Sequence, residues 1–310
     1  RLARIAGLIA APFTPMKENG DLNLPVIDRQ AERLIEDGVI GAFVCGTTGE
    51  SLSLTVDERK AVAEAWRRAA GDRLKVIVHV GHPSQREAAA LASHAAAIGA
   101  DAVAAMAPSF FRPPDVEELV GWCAGVAQAA PELPFFFYHI PSMTGVTLSP
   151  TEFLALAEER IPNLAGIKFT SEDLMEYASC VRYGGGRYNI LFGCDEILLA
   201  ALALGGTGAV GSTYNYAAPI YHEVIRAYRA GDMAAAQAAQ DKAVRLVRTF
   251  AKYGLGAQKA IMKWTGIDCG GVRLPLRNPS GEELAALRRA VEELGFLRLA
   301  AGASTPAEMP

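Results

Sequence analysis

The sequence predicts an α/β protein, a (β/α)8 TIM barrel with a C-terminal helical annex. Three observations lead there. Eight short apolar runs, rich in β-branched and aromatic residues, recur before about residue 230. Longer amphipathic stretches separate them, so the runs read as parallel strands whose faces are both covered by crossover helices. Beyond Gly231 the strand pattern stops and only helical segments follow. Eight strand–helix units over that length fit a closed barrel.

In order, the runs are IAGLIAA, GAFVCG, KVIVHV, ADAVAAM, PFFFYHI, LAGIKF, YNILFG and TGAVGS. Between them lie stretches such as VIDRQAERLIEDG, TVDERKAVAEAWRRAA and SQREAAALASHAAAIGA, which carry a helical period. The annex comprises DMAAAQAAQDKAVRLVRTFAKYG, GAQKAIMKWTG and SGEELAALRRAVEELGF. The reading is therefore a barrel over 1–230, an annex over 231–300 and a frayed tail over 301–310. Gly206, Gly208 and Gly211 spell the G-x-G-x-x-G of a dinucleotide-binding turn. That fingerprint should follow a strand and open a helix. Here a helical stretch precedes it and the glycines lie on and around the strand itself, which counts against a doubly wound sheet.

Composition narrows the class. The chain of 310 residues is 51% hydrophobic and 21% charged, enough for a normal core. A net charge of -4 gives no reason to expect a nucleic-acid or membrane-surface partner. The apolar start is soon broken by Pro12 and Pro15, unlike a signal peptide or membrane span. Five widely spaced cysteines with no C-x-x-C suggest neither disulfides nor zinc, and point to a reducing cytosol.

In a barrel, chemistry gathers where strands end at the C-terminal face. Lys168 lies in the otherwise apolar run LAGIKF. A desolvated lysine has a lowered pKa and can attack a carbonyl as the free amine. The bland alternative is a lysine snorkelling to solvent from a strand end. Tyr138 ends the neighbouring strand, where a phenol could shuttle protons; the bland alternative is a core tyrosine with a satisfied hydroxyl. Thr47 and Thr48, flanked by glycines, offer amides and hydroxyls to a carboxylate, or form an ordinary tight turn. His79 and His82 have no matching metal-ligand set. Strand alternation should point His139 away from the face used by Tyr138. Phe135, Phe136 and Phe137 read as core.

GTTGE at 46–50, YHIPSMTG at 138–145, GIKFT at 166–170 and LFGCDE through GSTYN at 191–215 resemble, in order, the dihydrodipicolinate synthase / N-acetylneuraminate lyase superfamily of class I aldolases. The resemblance spans nearly the whole chain. It is stronger to the lyase branch. Met143 stands where the synthase branch has a carboxylate-binding arginine, and Phe110 and Phe111 stand where it carries a relay tyrosine. The resemblance implies that Lys168 forms an imine with a sialic acid and that Tyr138 moves the proton, releasing pyruvate. It implies that Thr47 and Thr48 hold the carboxylate, while Thr170, Gly193, Asp195, Glu196 and Ser212 bind the polyol. The imine nitrogen is then the electron sink, so no metal or organic cofactor is expected. A cytoplasmic homotetramer is also implied. The alternatives are another pyruvate aldolase or dehydratase (dihydrodipicolinate synthase or a 2-keto-3-deoxy sugar acid aldolase) and a non-catalytic sugar-acid-binding barrel. The loop PSMTG, directly after Tyr138, is expected to turn Met143 toward the mouth.

Overall fold

The computed structural model describes residues 4–299. The tail expected over 301–310 lies outside the described residues. All eight apolar runs form strands: β1 (Gly7–Ala10), β2 (Gly41–Val44), β3 (Lys75–His79), β4 (Ala102–Met106), β5 (Phe135–His139), β6 (Leu164–Phe169), β7 (Asn189–Phe192) and β8 (Gly208–Gly211). Each pairs parallel with the next, and β1 pairs with β8, closing the barrel. Closure leaves no sheet edge and buries both faces, so the strands read as continuous apolar runs.

Two apolar layers result. Ile9, Phe43, Ile77, Ala104, Phe136, Leu191 and Val210 alternate along their strands and fill the barrel interior. Their strand neighbours, including Leu8, Val44, Val78, Phe137 and Phe169, pack outward against the helices. Phe136 thus faces inward while Phe135 and Phe137 face the helical layer, all three buried.

The helices start where the chain supplies caps. Thr55 and Glu58 form a reciprocal capping box for Val56–Ala70, and Ser280 and Glu283 do the same for Gly281–Glu293. Ser84, Asp115, Ser149 and Asp173 cap four further helices by accepting a backbone N–H three residues on. After β8 the helix Tyr214–Arg229 covers the barrel. The C-terminal segments form Met233–Ala251, Leu255–Trp264, Gly281–Glu293 and a short helix Phe296–Leu299. Among the described residues no helix is long and apolar enough to cross a membrane.

The glycines of G-x-G-x-x-G serve packing. Gly208 and Gly211 lie at the two ends of β8, and Gly206 in the turn before it. A Cβ at Gly208 would meet the carbonyl of Ile5 at 2.8 Å and a methyl of Leu191 at 2.6 Å. These glycines let β8 approach its neighbours closely, and no helix opens at them.

The segment after β5 differs from the expected loop. Pro141–Thr144 winds into a short helix, with Pro141 at its first position and Gly145 in the left-handed region closing it. Proline's fixed φ and absent N–H suit that first position, and glycine suits the close. Met143 rides on this turn and is 60% exposed.

Candidate active site

The register between β5 and β6 places Tyr138 directly opposite Lys168. Alternation then sends both side chains into the barrel interior. Lys168 is 4% exposed, with Nζ 4.0 Å from the ring centroid of Phe43 and 4.0 Å from that of Tyr138. Burial among rings pulls its pKa from 10.5 down to about 7, against the opposing pull of Asp195 and Cys194. A large fraction of the amine is therefore neutral near pH 7. Tyr138 shifts the other way: burial pushes its phenol up to about 12, so it holds its proton.

The Tyr138 hydroxyl is tied to the turn after β2. It lies 3.1 Å from Thr47 Oγ1. Thr170 stands close enough to ease ionisation of the phenol, yet its buried Oγ1 has no well-aligned partner among the described residues. A Cβ at Gly193 would overlap the Thr170 hydroxyl. Glycine there lets the chain after β7 cross the end of β6. Thr47 and Thr48 are half-buried at the rim, within the turn Gly46–Glu50.

Glu196 and Ser212 are half-buried as well. Asp195 is buried, at 5% exposed. Its Oδ2 accepts from the Thr213 hydroxyl at 2.6 Å and from the Thr213 N–H at 3.0 Å. Oδ1 has no partner among the described residues and lies where a Cβ on Gly211 would be. Burial raises its pKa to about 6, although both Thr213 hydrogen bonds favour the carboxylate. Asp195 thus braces the turn after β8 and acts electrostatically on Lys168.

Some neighbours escaped sequence reasoning. Cys194 sits close enough to Lys168 and Tyr138 for its charge state to affect both, and burial pushes its thiol up to about 12. His79 is buried edge-on to Tyr138, with ring centroids 5.6 Å apart. Its Nδ1 lies 3.0 Å from the Cys45 carbonyl, which places the ring proton there. Desolvation and the Arg59 guanidinium keep the ring well below the ordinary histidine pKa, hence neutral. Arg59 is itself buried and donates to the carbonyls of Gly81 and His79 at 2.8 and 2.6 Å. The helical period of TVDERKAVAEAWRR sets Arg59 on the buried stripe with Val62, Ala63 and Trp66, three, four and seven residues on, a signal that could have marked it. His139 points outward, 5.2 Å from the Phe169 ring, as alternation requires.

Fold and interior together define a (β/α)8 barrel that carries a buried lysine on its sixth strand, facing a tyrosine on its fifth. The model of the dihydrodipicolinate synthetase family matches residues 4–294, and the chain belongs to that family. It is 43% identical over 300 residues to N-acetylneuraminate lyase of Rattus norvegicus, covering 95% of this chain and 94% of the relative. The Homo sapiens N-acetylneuraminate lyase is also 43% identical over 300 residues, with the same coverage of 95% and 94%. Among solved structures, Proteus mirabilis N-acetylneuraminate lyase superposes with a TM-score of 0.92 at 42% identity, covering 95% of this chain and all (100%) of that one. The lyase from Aliivibrio salmonicida gives 0.92 at 42%, covering 95% and 98%.

Proposed function

We propose that this protein is a Schiff-base aldolase that cleaves N-acetylneuraminate to pyruvate and N-acetylmannosamine. The observation that carries the reading is Lys168, enclosed by aromatic rings with its pKa near 7 and opposite Tyr138. The named relatives, at 42–43% identity across nearly the whole chain, supply the substrate.

The chemistry follows from these groups. The neutral Lys168 amine attacks carbon 2 of the open-chain sugar acid. Loss of water forms an imine, whose protonated nitrogen withdraws electrons from the bond between carbons 3 and 4. The Tyr138 phenol accepts the carbon 4 hydroxyl proton as it passes its own proton to the substrate carboxylate; the bond between carbons 3 and 4 breaks and N-acetylmannosamine leaves. The remaining enamine takes a proton at carbon 3. Water then hydrolyses the imine, freeing pyruvate and Lys168. Thr47 and Thr48 hold the carboxylate, and the Thr47 hydroxyl orients the phenol. Thr170, Gly193, Asp195, Glu196 and Ser212 bind the polyol.

Two further readings accompany this one. The protein assembles as a homotetramer, which would cover the exposed rings of Phe110 and Phe111, 79% and 86% accessible in the single chain. It works in the cytoplasm, where thiols such as the buried Cys45, Cys123, Cys180 and Cys269 stay reduced.

The deciding experiment incubates purified protein with N-acetylneuraminate and measures both products. Equal release of pyruvate and N-acetylmannosamine is expected. Faster turnover of 2-keto-3-deoxy sugar acids, or condensation of pyruvate with aspartate semialdehyde, would move the chain to another branch. Pyruvate trapping without turnover of any of these would make it a binder.

A further inference from the structure

Where the C-terminal helices meet the barrel mouth, two opposite charges are enclosed together. Glu50 ends the Gly46–Glu50 turn with its backbone in the left-handed region, at φ 62°. Its side chain is 0% exposed, and that of Lys259, from the helix Leu255–Trp264, is 1% exposed. Lys259 Nζ donates to Glu50 Oε1 at 2.8 Å and to the carbonyls of Thr14 and Gly271 at 2.9 and 2.5 Å. Each of its three N–H groups therefore has an acceptor. Glu50 Oε2 accepts the Arg273 N–H at 2.8 Å. Thr14 closes the ring, its hydroxyl donating to the Gly49 carbonyl at 2.7 Å.

A buried ion pair is a poor source of stability, because desolvating both ions offsets most of their attraction. Its effect here is geometric. A non-glycine residue in the left-handed region persists only where its surroundings hold it. Glu50 follows Thr47, Thr48 and Gly49 immediately, and the Thr47 hydroxyl touches Tyr138. Slack at Glu50 would reach both the carboxylate-binding threonines and the phenol.

We propose that the Glu50–Lys259 pair, with Thr14 beside it, is a positioning clamp that sets the Thr47–Thr48 turn for the substrate carboxylate. The helices beyond the barrel are then part of the catalytic apparatus. This rests on the pyruvate-aldolase reading above.

The test is borohydride trapping across a pyruvate titration, which separates half-saturating concentration from the saturated rate of imine formation. Glu50→Gln should raise the half-saturating pyruvate concentration about 10- to 100-fold, the range that small misplacements cost. The double variant Glu50→Gln/Lys259→Met removes both charges. It should recover thermal stability while keeping the raised half-saturation. Leu287→Ala, buried in the helix Gly281–Glu293 and outside the hydrogen-bonded ring of Glu50, Lys259 and Thr14, should lower stability without moving half-saturation. Should Glu50→Gln fail to fold, Thr14→Val removes the strut to Gly49 without burying a charge, and should still raise half-saturation about threefold or more. Wild-type half-saturation in the folded Glu50 variants, or in Thr14→Val, overturns the clamp. Absence of trapping in the wild-type protein instead overturns the aldolase reading, and the clamp's purpose with it.

Discussion

Replacing Lys168 by methionine should make the protein more stable while abolishing imine formation. The side chains have similar length, and methionine carries no charge to desolvate. Within the barrel the Lys168 amine titrates near 7 instead of its ordinary 10.5. The unfolded chain therefore binds more protons than the folded one between those two values, and burial of this lysine costs stability throughout that range. The cost is complete below about pH 7 and fades as pH rises toward 10.5. By linkage it amounts to about 4 kcal/mol at pH 7 and about 2 kcal/mol at pH 9. For a chain of this size, 4 kcal/mol corresponds to roughly 5–10 °C in melting temperature. Parallel urea titrations of wild type and Lys168→Met at pH 7 and pH 9 measure both the gap and its slope. A variant no more stable than wild type, or a gap that does not shrink as pH rises, would refute the claim that desolvation depresses this amine. Aldolase function is expected to disappear from the variant in either case.

Trapping with pyruvate and borohydride should label Lys168 alone, with a rate that climbs through about pH 7 and then levels; a climb continuing toward pH 10, or a label on Lys259 or Lys263, contradicts the assignment. Tyr138→Phe should leave trapping largely intact and slow N-acetylneuraminate cleavage about 10²–10⁴-fold, so wild-type turnover would remove its proton-transfer role. Asp195→Asn removes a negative charge that supports the Lys168 ammonium, so the trapping midpoint should move to lower pH while sugar cleavage falls. An unmoved midpoint would mean that Asp195 only braces Thr213. Met143→Arg should weaken sialic acid cleavage without creating efficient condensation with aspartate semialdehyde, since a guanidinium at that rim position meets a neutral polyol chain. Unchanged lyase turnover would show that Met143 does not face the substrate.

Much of the architecture was legible because local patterns carried it. Each strand coincides with an apolar run, and the halt of the strand pattern at Gly231 falls between the helices Tyr214–Arg229 and Met233–Ala251. Lys168 was conspicuous because a charge inside LAGIKF has no local reason to exist. His139 could be set apart from Tyr138 because adjacent residues on a strand face opposite ways. The PSMTG segment reads as a loop in sequence because its four helical residues are too few to show a period, and only Pro141 and Gly145 mark its limits. Asp195 stood out as an acid beside a strand end, but its enclosure depends on Thr213, which lies 18 residues further along the chain.

The sequence by itself determined the number of strands, their order along the chain, and that both faces of each strand are apolar, because unbroken apolar runs and helical stretches of period 3.6 show within short windows. Closure of the barrel decided the rest. It set the register that puts Tyr138 opposite Lys168, and it brought Phe43 from β2 onto the same amine. Packing of the helix Leu255–Trp264 onto the barrel joined Glu50 to Lys259 across 209 residues, and the fold joined Arg59 to His79 across 20. No local pattern encodes such partners. A buried charge reports only that a counter-charge or acceptor must exist, while which residue supplies it depends on which segments meet when the sheet closes.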